Sequence, residues 1–193
     1  IHIVDLDQAY GTGDNQPLIS EIISSNSDVN FQISGGIRNE AIFTSALSSG
    51  AGRINLSSQS LSDRDWLGEK ISAYSDQVSF ALDVTDGVVQ PRGTNLSLGE
   101  LDEVLEFLAE SGLKTIVVTD TLRDGMLTGP NLNLLSHVYQ RTGLEVIASG
   151  GIASLSELEA LAQAEGVSGA VLGKALYQGL FTLEDAFSTV ANP

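Results

Sequence analysis

The chain has 193 residues, 42% of them hydrophobic, no cysteine, and a net charge of −16 from 25 acidic against 9 basic residues. That length can bury one large core, the lack of thiols excludes disulfides, thiolate metal sites and cysteine nucleophiles, and the charge repels nucleic acid and anionic membranes at long range. With no basic-then-apolar leader and no apolar run near the roughly 20 residues of a membrane span, a cytoplasmic monomer acting on a small molecule is expected, with neither nucleic acid nor membrane as partner.

Short apolar runs alternate with segments of helical periodicity, as strands buried on both faces and helices buried on one require. Strands are predicted at 1–6, 30–34, 53–56, 78–84, 115–120, 145–149 and 170–172. Between them, 97–110 carries an apolar ladder of Leu101, Val104, Leu105 and Leu108, and Ser97 with Glu100 has the spacing of a capping box. The stretch 154–164 repeats the device with Leu155, Leu158 and Leu161, and 183–190 closes the chain as a short helix. Trp66 and Tyr74 read as helix-packing residues. Strand followed repeatedly by helix predicts a parallel α/β fold, here a (β/α)8 TIM barrel with 1–193 as a single domain.

An internal repeat sharpens this expectation. Ser34-Gly35-Gly36-Ile37 returns as Ser149-Gly150-Gly151-Ile152, and Ile3-Val4-Asp5 is echoed by Val118-Thr119-Asp120, both at an offset of 115. The barrel is therefore expected to consist of two half-barrel repeats. The partner of the strand ending at Asp83 would lie about 32 positions ahead of Ile1, so the chain is expected to hold strands 2 to 8 and to lack the first β/α unit.

In such a barrel the reactive groups stand at the C-terminal ends of the strands. Those positions hold Asp5 and Asp7, Gly35-Gly36, Ser57-Ser58, Asp83, Thr119 with Asp120 and Asp124, Gly150-Gly151, and Gly173-Lys174. A glycine pair lets backbone N–H groups approach an anion closely. The repeat supplies two such cradles, Gly36 with Ser57 and Ser58, and Gly151 with Gly173 and Lys174, so a substrate with two phosphates is expected. Asp83 ends an apolar strand, where burial and neighbouring carboxylates are expected to tune it for proton transfer. Asp124 lies in an Asp-Gly turn, and of the mates Asp5 and Asp120 at least one is expected to bond loop amides. His2 and His137 have no second ligand at metal spacing, so no metal is expected.

These residues resemble a known family. Ile3-Val4-Asp5-Leu6-Asp7 with Gly11-Thr12-Gly13, Ser34-Gly35-Gly36-Ile37-Arg38, Asp120 through Asp124-Gly125 with Thr128-Gly129-Pro130-Asn131, Ala148-Ser149-Gly150-Gly151, and Gly173-Lys174-Ala175-Leu176-Tyr177 together resemble the ProFAR isomerase family. Within it they look most like the bifunctional phosphoribosyl isomerases of actinobacteria, over essentially the whole chain. The resemblance implies a barrel without cofactor that performs an Amadori rearrangement, aminoaldose phosphate to aminoketose phosphate, in histidine biosynthesis, tryptophan biosynthesis or both. It implies that Asp124 is the general acid, that Asp83 assists or orients, that Thr119 contacts substrate, and that Gly36, Ser57, Ser58, Gly151, Gly173 and Lys174 bind phosphate. The family's base stands at the end of the first strand, which falls ahead of Ile1, so the chain as given is expected to be inactive. Where the bifunctional relatives have Arg-Gly-Trp, this chain has Arg92-Gly93-Thr94. By resemblance Arg92 keeps the contact to the carboxylate of the smaller, anthranilate-bearing substrate, or to a substrate with one phosphate and one carboxylate generally, while the ring that stacks on the larger substrate is gone. Two other readings fit less of the pattern: the related cyclase subunit of imidazole glycerol phosphate synthase, whose matching loop usually departs from Gly129-Pro130-Asn131, and a non-catalytic phosphate-binding barrel.

Overall fold

The computed structural model describes residues 1–92 and 94–191; Gly93, the middle of the Arg92–Thr94 run, lies outside them. The chain packs as two compact units, Ile1–Ala81 with Ser111–Lys114, and Leu82–Glu110 with the chain from Thr115 onward.

In the first unit, β1 (His2–Val4), β2 (Gln32–Ser34), β3 (Arg53–Leu56) and the opening of β4 (Val78–Thr85) pair in parallel. Ile3, Ile33, Ile54 and Val78 fall in one register row, and the last three are buried. The strand predicted at 1–6 stops at Val4 because Asp5 accepts from the Gln8 N–H and caps α1 (Leu6–Tyr10). The other helices are α2 (Gln16–Ser24), α3 (Glu40–Ser48) and α4 (Arg64–Ala73), with a 3-10 turn at Ser58–Ser62. Trp66 and Tyr74 do serve helix packing: both rings meet the buried Phe43 edge-on, at centroid distances of 6.0 and 5.2 Å. The Trp66 Nε1–H also donates to Glu40, whose carboxylate pairs with Lys70 at 2.7 Å.

In the second unit the sheet continues from β4 through β6 (Thr115–Asp120) and β7 (Glu145–Ser149) to β8 (Val167–Val171). β6, β7 and β8 are parallel, with the buried Val146 and Ala148 at the centre of the ladders. β8 begins earlier than the predicted 170–172 and ends at Val171, because Val167 and Gly169 pair with Val146 and Ile147 of β7 although Ser168 and Gly169 interrupt its apolar run. β4 also folds back on the short antiparallel β5 (Val88–Val89) through Asp86 and Gly87, both at positive φ, as hairpins of this kind require. The chain then returns along β5, with the Leu98 N–H on the Val89 carbonyl at 2.9 Å and the Val89 N–H on the Gly99 carbonyl at 3.0 Å. This ribbon corrects the predicted helix start. Ser97 and Glu100 form no capping box, since Glu100 bridges Val88 and α5 is Leu101–Glu110. Its ladder of Leu101, Val104, Leu105 and Leu108 is buried as expected. Helices α6 (Leu132–Thr142), α7 (Leu155–Gln163), α8 (Lys174–Tyr177) and α9 (Leu183–Ala191) follow. The capping box of α7 is real: the Ser154 hydroxyl accepts from the Glu157 N–H while the Glu157 carboxylate accepts from the Ser154 N–H.

Parallel strands alternating with helices make this an α/β fold of the TIM-barrel type. No helix among the described residues is long and apolar enough to cross a membrane.

Candidate active site

The aspartates at the two repeated strand ends share one local task. Asp5 is buried and accepts from the Gln8 N–H at 3.0 Å, the Asn15 N–H at 2.6 Å and the Asn15 side chain at 2.9 Å. Burial acts to raise its pKa, but the N–H groups of Asn15 and Gln8 and the Asn15 amide outweigh it and hold the carboxyl below the ordinary aspartate value. Asp120 does the same in the second unit, accepting from the Leu122 N–H at 3.0 Å and the Asn131 amide at 2.7 Å, with Arg123 alongside at 3.4 Å. Asn131 in turn caps α6. Both aspartates are thus loop organisers, where the sequence required only one of them to be.

In the second unit the ribbon after β4 carries Arg92 to the C-terminal ends of β4 and β6. Its Nε–H donates to Asp83 at 3.2 Å, one Nη to Asp124 at 2.7 Å and the other Nη to the Thr119 hydroxyl at 3.0 Å. A planar guanidinium suits this because its donors are fixed in a fork. Thr119 is buried and Asp83 nearly so, while Arg92 is half exposed. Four residues picked out separately along the sequence therefore meet around one cation. The cluster carries two carboxylates against one guanidinium, and its open side belongs to Arg92.

The loop that follows β6 gathers the remaining second-unit candidates. Gly150 lies against Asp124: a Cβ built there would stand 3.2 Å from the Asp124 Cα. Gly151 lies under Gly129, whose N–H donates to the Gly151 carbonyl at 3.0 Å. A Cβ on Gly151 would come within 2.4 Å of the Gly129 carbonyl oxygen, and its φ of 82° favours glycine besides. The glycine pair thus has a packing reason of its own. Lys174 donates to the Gly125 carbonyl at 2.7 Å, one residue beyond Asp124, and Gly173 precedes it as the cap of α8.

In the first unit Gly36 lies beside the carbonyl of Gln8, Ser57 caps the 3-10 turn by accepting from the Gln59 N–H, and Ser58 is fully buried. Arg38 reaches the Gly36 carbonyl at 3.0 Å and is the one cation the sequence reading left without a role there. Its place two residues after the glycine pair was the available signal. Among the described residues no three His, Cys, Asp or Glu side chains gather as a metal shell would.

Residues 1–182 match the family described as histidine biosynthesis protein. The chain is 45% identical over 192 residues to 1-(5-phosphoribosyl)-5-((5-phosphoribosylamino)methylideneamino) imidazole-4-carboxamide isomerase of Frankia casuarinae, covering 100% of this chain and 76% of that protein. It is 45% identical to the protein of the same name from Bifidobacterium animalis subsp. lactis, covering 100% of this chain and 80% of the relative. With the one from Corynebacterium jeikeium it shares 47% over 96% of this chain and 74% of the relative.

Proposed function

Because the chain belongs to the histidine biosynthesis protein family, we propose that it is an isomerase converting the aminoaldose phosphate ProFAR to the corresponding aminoketose in histidine biosynthesis. The observation that carries this reading is the convergence of Asp83, Asp124 and Thr119 on Arg92. Opening the ribose requires a proton at the ring oxygen, supplied by a group that can hold and release it. Asp124 takes that role: it stands on a loop, half-exposed, with one carboxylate oxygen on the Arg92 guanidinium at 2.7 Å. While Arg92 is on Asp124, that carboxylate is an acceptor. In the reacting complex Asp124 takes up a proton from solvent water and delivers it to the ring oxygen, returning to the carboxylate as the ring C–O bond breaks. Asp83 and Thr119 orient Arg92 and the reacting sugar. The reading concerns the acid half of the reaction, which these residues equip.

Phosphate is assigned to Gly151, Gly173 and Lys174 in this unit, where the Lys174 ammonium is already at the loop that holds Asp124. Gly36, Ser57 and Ser58 are assigned a phosphate in the first unit by the same reasoning, with Arg38 beside Gly36 supplying charge. A second substrate, phosphoribosylanthranilate of tryptophan biosynthesis, is favoured by one observation: Arg92 faces the site with a fork suited to a carboxylate.

Asp124→Asn in the complete protein, with the base that the family resemblance places ahead of Ile1, tests the assignment. General acids contribute on the order of 10²–10⁴ in rate, so turnover of either substrate is expected to fall by at least about 100-fold, with binding of a product analogue kept within about tenfold. Equal losses in binding and turnover would make Asp124 a loop-shaping residue only.

A further inference from the structure

The backbone carrying Arg92 is tied down by an unusual concentration of bonds at Thr94. The ribbon sets the ends of the loop: the Gln90 N–H donates to the Asp83 carbonyl at 2.9 Å, and the Leu98 N–H to the Val89 carbonyl at 2.9 Å. Between these ends the Thr94 hydroxyl donates to the Pro91 carbonyl at 2.9 Å and accepts from the Leu96 N–H at 3.3 Å. The Thr94 N–H reaches the same Pro91 carbonyl at 3.3 Å, and the Gln90 side-chain amide donates to the Thr94 carbonyl. Thr94 is half-buried and Pro91 fully so, while Asn95 and Leu96 are exposed.

A hydroxyl that both donates and accepts across a loop mimics a turn in the backbone itself and holds the chain in one form. Arg92 leaves the loop between the two residues, Pro91 and Thr94, that these bonds join. Its three contacts need the guanidinium plane to arrive at one height and angle. Neither the ribbon ends nor Pro91 supplies that alone, because the span from Gln90 to Leu98 could arch in many ways between fixed ends.

We infer that Thr94, with Gln90, is a positioning residue: it locks the loop so that Arg92 is presented to Asp83, Asp124 and Thr119, and thereby selects ligands with a carboxylate at the place the guanidinium turns to. A residue at 94 without a hydroxyl loses the two side-chain bonds, to the Pro91 carbonyl and from the Leu96 N–H. This inference rests on the isomerase reading for its choice of ligand and on the loop geometry alone for the lock.

The test uses the complete protein with Thr94→Val, which keeps shape and removes the hydroxyl, and Thr94→Ser, which restores it. Amide exchange at Leu96 and the nitrogen resonance of the Arg92 Nε–H are followed by NMR, and steady-state kinetics are measured with phosphoribosylanthranilate and with ProFAR. Thr94→Val is expected to speed Leu96 exchange about tenfold and remove the Arg92 Nε–H protection, as loss of a bonded hydroxyl does. KM for the carboxylate-bearing substrate should rise about tenfold while its kcat moves less than about threefold, the mark of lost binding in place of lost chemistry. Thr94→Ser should return both readouts toward the original. Unchanged exchange in Thr94→Val would overturn the lock. Faster exchange with an unaltered KM would overturn the positioning of Arg92. A complete protein that carries the base ahead of Ile1 and turns over neither substrate, but shows the exchange changes, would sink the isomerase reading and leave the lock standing.

Discussion

Asp5 shows how a single side chain can be held in place by donors only a few residues away. Its carboxylate takes two backbone N–H groups and one amide from residues 8 and 15 while almost wholly out of water. The Asn15 amide also reaches the Asp7 carboxylate at 3.0 Å, but the two backbone N–H groups would lose a charged acceptor, so Asp5→Ala is expected to destabilise the fold by about 2–4 kcal/mol. The pH dependence has a definite sign. With the folded pKa below the ordinary value of 3.8, the unfolded chain binds the proton more readily, so the stabilisation is complete above that value and disappears as pH falls through the lower, folded one. Denaturant midpoints of the original protein and of Asp5→Asn, compared from neutral pH down to about pH 2, should converge on acidification. A gap that widens in acid would mean that Asp5 is not held ionised. Thr119 and Asp124 illustrate the opposite case, since their partner in the site arrives from 27 and 32 positions away and no local pattern announces it.

At the level of the elements, the two Gly-Gly turns have a packing role of their own. Each lies where a loop from the preceding strand crosses closely: Gly35 against the Asp5 backbone, and Gly151 against the Gly129 carbonyl. Gly151→Ala combines a side chain at left-handed φ, costing about 1–2 kcal/mol, with a Cβ at 2.4 Å from backbone oxygen. A total loss of about 2–4 kcal/mol is expected. In contrast Gly68, inside α4 with nothing within 4 Å of an added Cβ, should gain about 0.5–1 kcal/mol on substitution by alanine. Urea titrations of the two variants measure both, and a Gly151→Ala protein as stable as its parent would show that the loop after β6 shifts freely. The ribbon of β4, β5 and the return through Leu98 is the other element of consequence, because it converts a long connection into a platform for Arg92.

Over the whole molecule the excess of 25 acidic over 9 basic residues is the dominant electrostatic fact. Such a charge opposes compaction through self-repulsion. Raising salt from about 0.01 M to about 1 M shortens the screening length from about 30 Å to about 3 Å, so thermal stability should increase over that range in a non-binding salt such as sodium chloride. A melting temperature that falls would place the weight on favourable pairs such as Lys70 with Glu40 and Arg92 with Asp124 instead. The same charge makes the local cations, Arg38, Arg92 and Lys174, the points to which an anionic ligand can be drawn.

Much of this is legible in the sequence, for a physical reason that differs from feature to feature. The ladder of α5 and the capping box of α7 depend on residues three and four apart, so spacing alone predicts them. The repeat at an offset of 115 pairs Asp5 with Asp120 and Gly36 with Gly151, and the two aspartates bond alike, each taking an asparagine amide from the loop that follows it, because like sequences meet like neighbours along the chain. The start of α5 was misread because Ser97 and Glu100 satisfy a local rule while a strand partner, Val88, competes for the same backbone. Two-residue strands such as β5 are too short to have a period. The meeting of Arg92 with Asp83, Asp124 and Thr119 was out of reach for the same kind of reason: sequence identifies which groups can form a strong hydrogen bond, but which of them come within 3 Å is decided by packing between segments distant in the chain.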